Sequence, residues 1–273
     1  MRVTYWLTGI LGAAALLTTQ ALAGQTGTPA QGPAGIIIDD VVVANRILAN
    51  ENILDGLGHI SARSPQRPDH FFLARDLAPG LVTSADLVEY DLEGNPVNAK
   101  APQGYRERYI HAAIFKARPD VNAVVHSHMP SVLPFTDSTV ALRPMYHMAA
   151  FLVPGVPMFE IRTVQGQEGM LIDNNKVATA LAQALGKKTV ALIRGHGAVF
   201  VGTTVPDAVS NAIFLDVNAR VQSQTIALGG KLSYLTQADV GAPTANQQPA
   251  TQPGAPGYYP RSWGIWKQNA MGK

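Results

Sequence analysis

The sequence predicts an α/β protein with helices packed against a mixed central sheet. Three observations carry that expectation. Apolar runs of strand composition, such as "HFFLARD" and "VNAVVHSH", are interleaved with segments whose apolar residues recur at helical spacing. The order of these segments is not a regular strand–helix alternation, and no internal repeat is present, which argues against a purely parallel sheet. At 273 residues and 47% apolar content, the chain can bury a substantial core.

The elements follow in order. Residues 1–23 have the layout of a secretory signal peptide: Arg2, an apolar centre from Trp6 to Leu17, and Ala21-Leu22-Ala23 before Gly24. The apolar centre is short for a membrane span, which needs about 20 residues. The mature chain is therefore expected to be exported, periplasmic or secreted, and off the membrane once the signal is cleaved. Residues 24–35 read as a Gly/Pro/Thr/Gln linker. A domain then runs over 36–235. Its first helix is expected over "DDVVVANRILANENILDG", capped by Asp39 or Asp40 and ended by Gly56. Two strands follow, the second closing through Glu93-Gly94-Asn95. "ERYIHAAIFKAR" is helical in spacing and stops at Pro119-Asp120. "VNAVVHSH" is a strand. "NNKVATALAQALGKK" is an amphipathic helix with Asp173 or Asn174 as cap and Gly186 as terminator. "TVALIRGHGAVFVG" reads as one apolar strand interrupted at Gly195-His196-Gly197, and a long helix begins at Asp207. Residues 236–273 form a Pro/Gln-rich tail that ends in "RSWGIW", where Trp263 and Trp266 are spaced to share a helical face and pack on the body of the same chain or a neighbour.

Composition narrows the chemistry. The formal charge is +2 with no long basic run, so nothing marks a nucleic-acid footprint. The absence of cysteine removes disulfides, thiolate metal sites and a cysteine nucleophile together. Any metal has to be held by His, Asp, Glu or water. His126 and His128 are two of only seven histidines, and they stand one residue apart at a strand end. In a strand, residues i and i+2 leave the same face, so both imidazoles can reach one ion. Alone, the pair also suits a hydrogen-bonded strand end. His196, with a glycine on each side, supplies a third imidazole, or simply a tight turn. Together, three histidines with an open position describe a catalytic metal site. Zinc is the default ion; manganese, cobalt and iron also suit imidazole. Glu107 opens the helix upstream, either as a charge on the helix dipole or as a general base near the metal. His111 lies one turn on and can touch it.

The stretches "ERYIHAAIFKARPDVNAVVHSHMPSVLPFT" and "ALIRGHGAVFVGTTVPDAVSNAIFLDVNARVQ" resemble the class II aldolase/adducin family, and "LDGLGHISARSP" resembles its Gly-rich loop. The resemblance covers roughly residues 36–234. It implies α/β/α layers around a mainly antiparallel sheet, a divalent metal on His126, His128 and His196, Glu107 as acid/base, and a homo-oligomer, often a four-fold tetramer with sites at subunit contacts. The adducin branch implies the alternative, a non-catalytic binding or assembly module. Retention of the three histidines and Glu107 favours an enzyme.

Two departures shape the substrate expectation. Sugar-phosphate aldolases of the family carry Gly-Asn in the first loop and a Ser-Ser pair before the Glu; here stand Gly58-His59 and Tyr105-Arg106. The "GHISAR" form resembles a subgroup of metal-dependent decarboxylases of hydroxylated aromatic or pyridine dicarboxylates. The expected activity is thus a metal-dependent carbon–carbon lyase acting on a small, non-phosphorylated hydroxy, oxo or hydroxyaromatic carboxylate, by aldol cleavage or decarboxylation. Candidate substrate contacts are His59, Ser61, Arg63, Tyr105, Arg106, Tyr146 and His147, with His111 behind them. Arg63, Arg106 and Arg194 are candidates to fork a carboxylate, each with a structural role as the alternative.

Overall fold

The structure, a computed structural model, describes residues 33–164, 166–240 and 260–272, together with Met1. The chain divides into two units, Met1–Ala30 and Gln31–Lys273; of the first, only Met1 is described. The expected signal peptide, most of the linker and the 241–259 part of the tail lie outside the described residues. Among the described residues, no helix is long and apolar enough to cross a membrane.

Seven strands form one sheet: β1 (His59–Arg63), β2 (His70–Ala74), β3 (Leu87–Asp91), β4 (Ala123–Ser127), β5 (Met158–Phe159), β6 (Val190–Ile193) and β7 (Gly197–Gly202). Their order is β3-β2-β1-β4-β7-β6-β5. All neighbours are antiparallel except β5 and β6. The expected class, a mainly antiparallel sheet between helices, is the one observed.

Alternation along the strands builds two cores. Val125 of β4, Ala198 and Phe200 of β7, and Ile60 and Ala62 of β1 face helices α1 (Pro33–Asn50) and α5 (Val205–Ala227). Val124, Val199, Val201, Phe71 and Leu73 face α2 (Arg108–Ala117) and α4 (Asn175–Leu185). Two short helical turns, α3 (Leu133–Thr136) and α6 (Gln237–Val240), complete the chain before α7 (Pro260–Met271). Trp263, Trp266 and Ala270 of α7 pack on the α1/α5 core, as expected of the terminal aromatics.

Several elements differ from expectation. Helix α1 spans Pro33–Asn50, so Asp39 and Asp40 are interior and Gly56 lies beyond it. Its apolar residues continue upstream of Asp39 as "GIII", and no turn residue interrupts them. "TVALIRGHGAVFVG" is two strands, not one. Gly195 at φ +61° reverses the chain, and Ile193 pairs with Gly197 across a hairpin. A local apolar run cannot distinguish one strand from a hairpin; the left-handed glycine decides. The loop "GHISAR" is largely strand β1, held between β2 and β4. Helix α4 resolves its two cap candidates: Asn174 Oδ1 accepts from Val177 N at 3.1 Å.

Candidate metal centre

The site forms where β4 ends and β1 and β7 begin. His59 pairs with His126 across β1 and β4, and Val199 pairs with His126 on the other side. His126 shares its face of β4 with Val124, the face covered by α2. His128 follows just past the strand end on the same side. His196 closes the β6–β7 hairpin immediately before β7. The hairpin must approach β4 closely: a Cβ on Gly197 would lie 2.1 Å from Ser127 O. Backbone packing therefore requires Gly197, and the left-handed turn at φ +61° requires Gly195.

The three imidazoles converge through Nε2. His126 and His128 Nε2 are 3.1 Å apart, and His128 and His196 Nε2 are 3.2 Å apart. Glu107 Oε2 lies 3.3 Å from His126 Nε2 and 3.5 Å from His196 Nε2. One ligand atom from each of the four residues falls within 4.8 Å of the others. Glu107 sits at the N-cap of α2 but makes no cap; its Oε1 accepts from Ile172 N at 2.8 Å, which aims Oε2 at the histidines.

This arrangement fits a divalent ion. A tetrahedron with metal–nitrogen bonds of ~2.0–2.1 Å has edges of roughly 3.3–3.4 Å, close to the Nε2 separations observed. Hydrogen bonding alone does not account for it, since one Nε2 carries either a proton or a lone pair and cannot serve two like neighbours in both senses. The outer nitrogens of His126 and His128 agree, while His196 Nδ1 is buried without a protein partner among the described residues. His126 Nδ1 lies 3.2 Å from Ala198 O, which only a ring N–H can satisfy, so its Nε2 lone pair is left for the ion. His128 Nδ1 donates in the same way to Asp55 Oδ2 at 3.3 Å. Carboxylate or carbonyl partners behind metal histidines are the common means of fixing ring and tautomer.

Electrostatics follow from burial and neighbours. Burial alone would raise the Glu107 carboxyl, but the His126 and His196 rings hold it well below the usual carboxylate range. Glu107 therefore stands ionised beside the histidines. Burial lowers His128, helped by His126 and His196 and opposed by Asp55. Burial pushes His111 down to about 3, with His126 adding to the effect. Burial raises the Tyr105 hydroxyl to about 12.

The other expected residues divide into two groups. His59, Ser61, His111 and Tyr105 gather beside His126. His59 Nδ1 lies 2.7 Å from His111 Nε2, and His111 Nδ1 lies 2.6 Å from Ser61 Oγ. The His59 ring centroid is 4.6 Å from Tyr105 and 5.2 Å from His126. The Tyr105 hydroxyl donates to Leu77 O, so its ring is what remains to face the site. The second group stands apart from the cluster. Arg63 is at the far end of β1 and donates to the carbonyls of Val121, Phe115 and Arg118. Arg106 pairs with Asp173 at 2.7 Å, and Arg194 with Glu160 at 2.6 Å. Tyr146 packs on the α1/α5 core and donates to Phe214 O; His147 beside it is exposed. The 141–145 segment before them is held by α5, where Asn218 and Gln222 bond the backbone of Met145, Arg143 and Ala141. Sequence reasoning missed Asp55. Its signal was an Asp followed by Gly at one and three residues. Its Oδ1 accepts from Leu57 N and Gly58 N, both at 2.8 Å, as aspartates do in turns.

The family description "Class II Aldolase and Adducin N-terminal domain" matches residues 39–223. The chain belongs to the class II aldolase and adducin family. Among its relatives in that family, Decarboxylase tropJ of Talaromyces stipitatus is 40% identical over 209 residues, covering 72% of this chain and 79% of that protein. The 3,4-dihydroxyphthalate decarboxylase of Arthrobacter keyseri is 32% identical over 210 residues, covering 73% and 83%. Among solved structures, L-fuculose 1-phosphate aldolase from Glaciozyma antarctica PI12 superposes with a TM-score of 0.64 at 27% identity, covering 76% of this chain and 79% of that one. The class II aldolase fold implies a divalent metal, and the Glu107–His126–His128–His196 cluster is where this member can hold it. The protein is a metal-dependent carbon–carbon lyase with a small-molecule substrate.

Proposed function

We propose that the protein decarboxylates an ortho-hydroxylated aromatic carboxylic acid, with zinc as its ion. The observation that carries this reading is the commitment of Tyr105 and Arg106. The two positions where sugar-phosphate aldolases offer short hydroxyls present a ring whose hydroxyl is bound to Leu77 O and a guanidinium bound to Asp173. Short hydroxyls that could cradle a phosphate are missing from these positions, while an aromatic wall stands next to His59. The decarboxylase names of the relatives at 40% and 32% identity support the same choice.

His126, His128 and His196 would hold the ion. When bound there, it supplies a Lewis acid that stabilises negative charge on a substrate oxygen, worth several kcal/mol. The remaining work falls to the chain. Tyr105 and His59, packed on each other, would form one wall for a planar ring. Glu107 Oε2 accepts the proton of the substrate's ring hydroxyl. Glu107 delivers that proton to the ring carbon bearing the carboxylate, giving the keto tautomer and restoring its own charge. The bond from that carbon to the carboxylate then breaks, carbon dioxide leaves, and the electron pair passes through the ring to the oxygen, leaving an aromatic phenolate. The commitment of Arg63, Arg106 and Arg194 to other partners suits this chemistry. A carboxylate that must depart as neutral carbon dioxide is favoured where no cation holds its charge.

The test supplies metal-loaded protein with ortho-hydroxy aromatic acids and, separately, with ketose 1-phosphates. Release of carbon dioxide from the acids is expected. Aldehyde release from a sugar phosphate at a higher rate would reverse the assignment. We propose export for the whole chain on its N-terminal pattern, and homo-oligomeric assembly on the family resemblance.

A further inference from the structure

Behind the metal-binding histidines lies a buried chain of three polar side chains, His59, His111 and Ser61, contributed by β1 and α2. His111 and Ser61 are fully buried, and His59 is 2% exposed. The two contacts are short, 2.7 Å between His59 Nδ1 and His111 Nε2 and 2.6 Å between His111 Nδ1 and Ser61 Oγ. Each link needs one proton between two atoms, so the chain has two possible senses.

Ser61 decides between them. Among the described residues its hydroxyl has a single hydrogen-bond partner, His111 Nδ1. If His111 Nδ1 carried the proton, Ser61 would accept it and its own O–H would point into a dry interior with nothing to receive it. Leaving a buried donor unpaired is the costly arrangement. If Ser61 donates instead, every proton is used. Ser61 Oγ–H goes to His111 Nδ1, and His111 Nε2–H goes to His59 Nδ1. His59 Nδ1 is then an acceptor, and its remaining proton sits on Nε2. The low basicity of His111 agrees, since each imidazole in this scheme carries one proton only.

We infer that Ser61 and His111 fix His59 in the Nε2–H tautomer, making His59 a neutral hydrogen-bond donor that recognises an acceptor oxygen of the substrate. Among the described residues, no protein group accepts from His59 Nε2. Its ring lies against His126 and Tyr105, at the border of the metal cluster. His59 is then a specificity-determining contact, while His111 and Ser61 are positioning residues that act through it. A neutral donor suits the reaction proposed above, on which the substrate part of this inference rests. It orients an oxygen by direction without setting a full positive charge beside the departing carboxylate.

Long-range nitrogen–proton correlation spectra of metal-loaded, 15N-histidine-labelled protein test the tautomer, with the His59 signals assigned by their loss in His59→Gln. Wild type should show His59 protonated at Nε2 and bare at Nδ1. Ser61→Ala should give a mixture, and Ser61→Thr, which keeps a hydroxyl, should restore the wild-type pattern. In parallel, Ser61→Ala should raise KM for an ortho-hydroxy aromatic acid about five- to tenfold, the effect of one hydrogen bond, with kcat nearly unchanged and metal content equal. Ser61→Thr should recover the wild-type KM. A His59 protonated at Nδ1 in wild type overturns the inference, as does Ser61→Ala with the wild-type tautomer and KM. The spectra need no substrate. Failure to release carbon dioxide would therefore count against the decarboxylase reading alone.

Discussion

Asp55 Oδ2 lies 3.3 Å from His128 Nδ1, on the side of the imidazole opposite the converging Nε2 atoms. The same carboxylate closes its own turn by accepting from Leu57 N and Gly58 N. Burial would raise Asp55, but these two amides and His128 outweigh it, and the group is held below its ordinary value. One side chain thus sets the turn that leads into β1 and the tautomer of a candidate metal ligand. Asp55→Ala should weaken metal affinity about 10–100-fold, the usual cost of losing such a partner. Competition with a chelator of known affinity measures it. Unaltered affinity would leave Asp55 as a turn residue only.

Glu107→Gln should keep the metal and lose most turnover. The amide oxygen can still accept from Ile172 N, so the side chain stays in place. What disappears is the carboxylate oxygen 3.3 Å from His126 Nε2 and its capacity to carry a proton. General acid–base help is worth typically about 10²–10⁴-fold. The variant's kcat with metal content measured alongside decides the matter; a rate equal to wild type would reduce Glu107 to a helix-end charge.

The gathering of Glu107, His126, His128 and His196 was legible because they sit at places that local patterns mark. An i, i+2 histidine pair marks a strand end, a glycine-flanked histidine a turn, and a glutamate the start of a helix. Which role the candidate arginines take was not legible, because their partners are remote in sequence. Nothing near Arg63 announces that it will cap the carbonyls of Val121, Phe115 and Arg118, or near Arg194 that Glu160 will claim it. His59, Ser61 and His111 were picked out singly, yet their link spans about fifty residues and depends on the register of β1 against β4. The β6–β7 hairpin stayed hidden in an apolar run because only the left-handed Gly195 reveals the reversal.

Gly197→Ala should damage the site through the backbone. Gly197 has φ +154°, and an added Cβ would meet Ser127 O at 2.1 Å and His128 Cα at 3.0 Å. Relief requires β7 to move from β4, carrying His196 away from His126 and His128. Gly195→Ala is the control: it is strained at φ +61°, but its nearest contact is Asp137 Oδ1 at 3.4 Å. A left-handed non-glycine residue costs roughly 1–2 kcal/mol, and Gly197→Ala should exceed that and lose metal as well. Thermal unfolding with metal analysis separates the two. Equal metal retention would show that the strands can yield without moving His196.

Asp40 lies inside α1, the helix on which α7 packs. Burial pushes its carboxyl up to about 6, against the pull of Lys267 and with a small push from Asp39. In the unfolded chain the ordinary value is 3.8. Between these two values the folded state binds the extra proton, so stability falls as pH rises through the window from about 4 to about 6. Above it the cost of the buried charge is fully present, on the order of 2 kcal/mol once partial solvent access is allowed for. Asp40→Asn carries no charge at any pH. It should unfold at a higher temperature than wild type at pH 7.5, and the difference should shrink towards zero at pH 4. The comparison is made by thermal unfolding of the full chain at several pH values in one buffer series. A wild-type advantage at pH 7.5 would mean that the Lys267 pairing outweighs burial and that the sign is reversed.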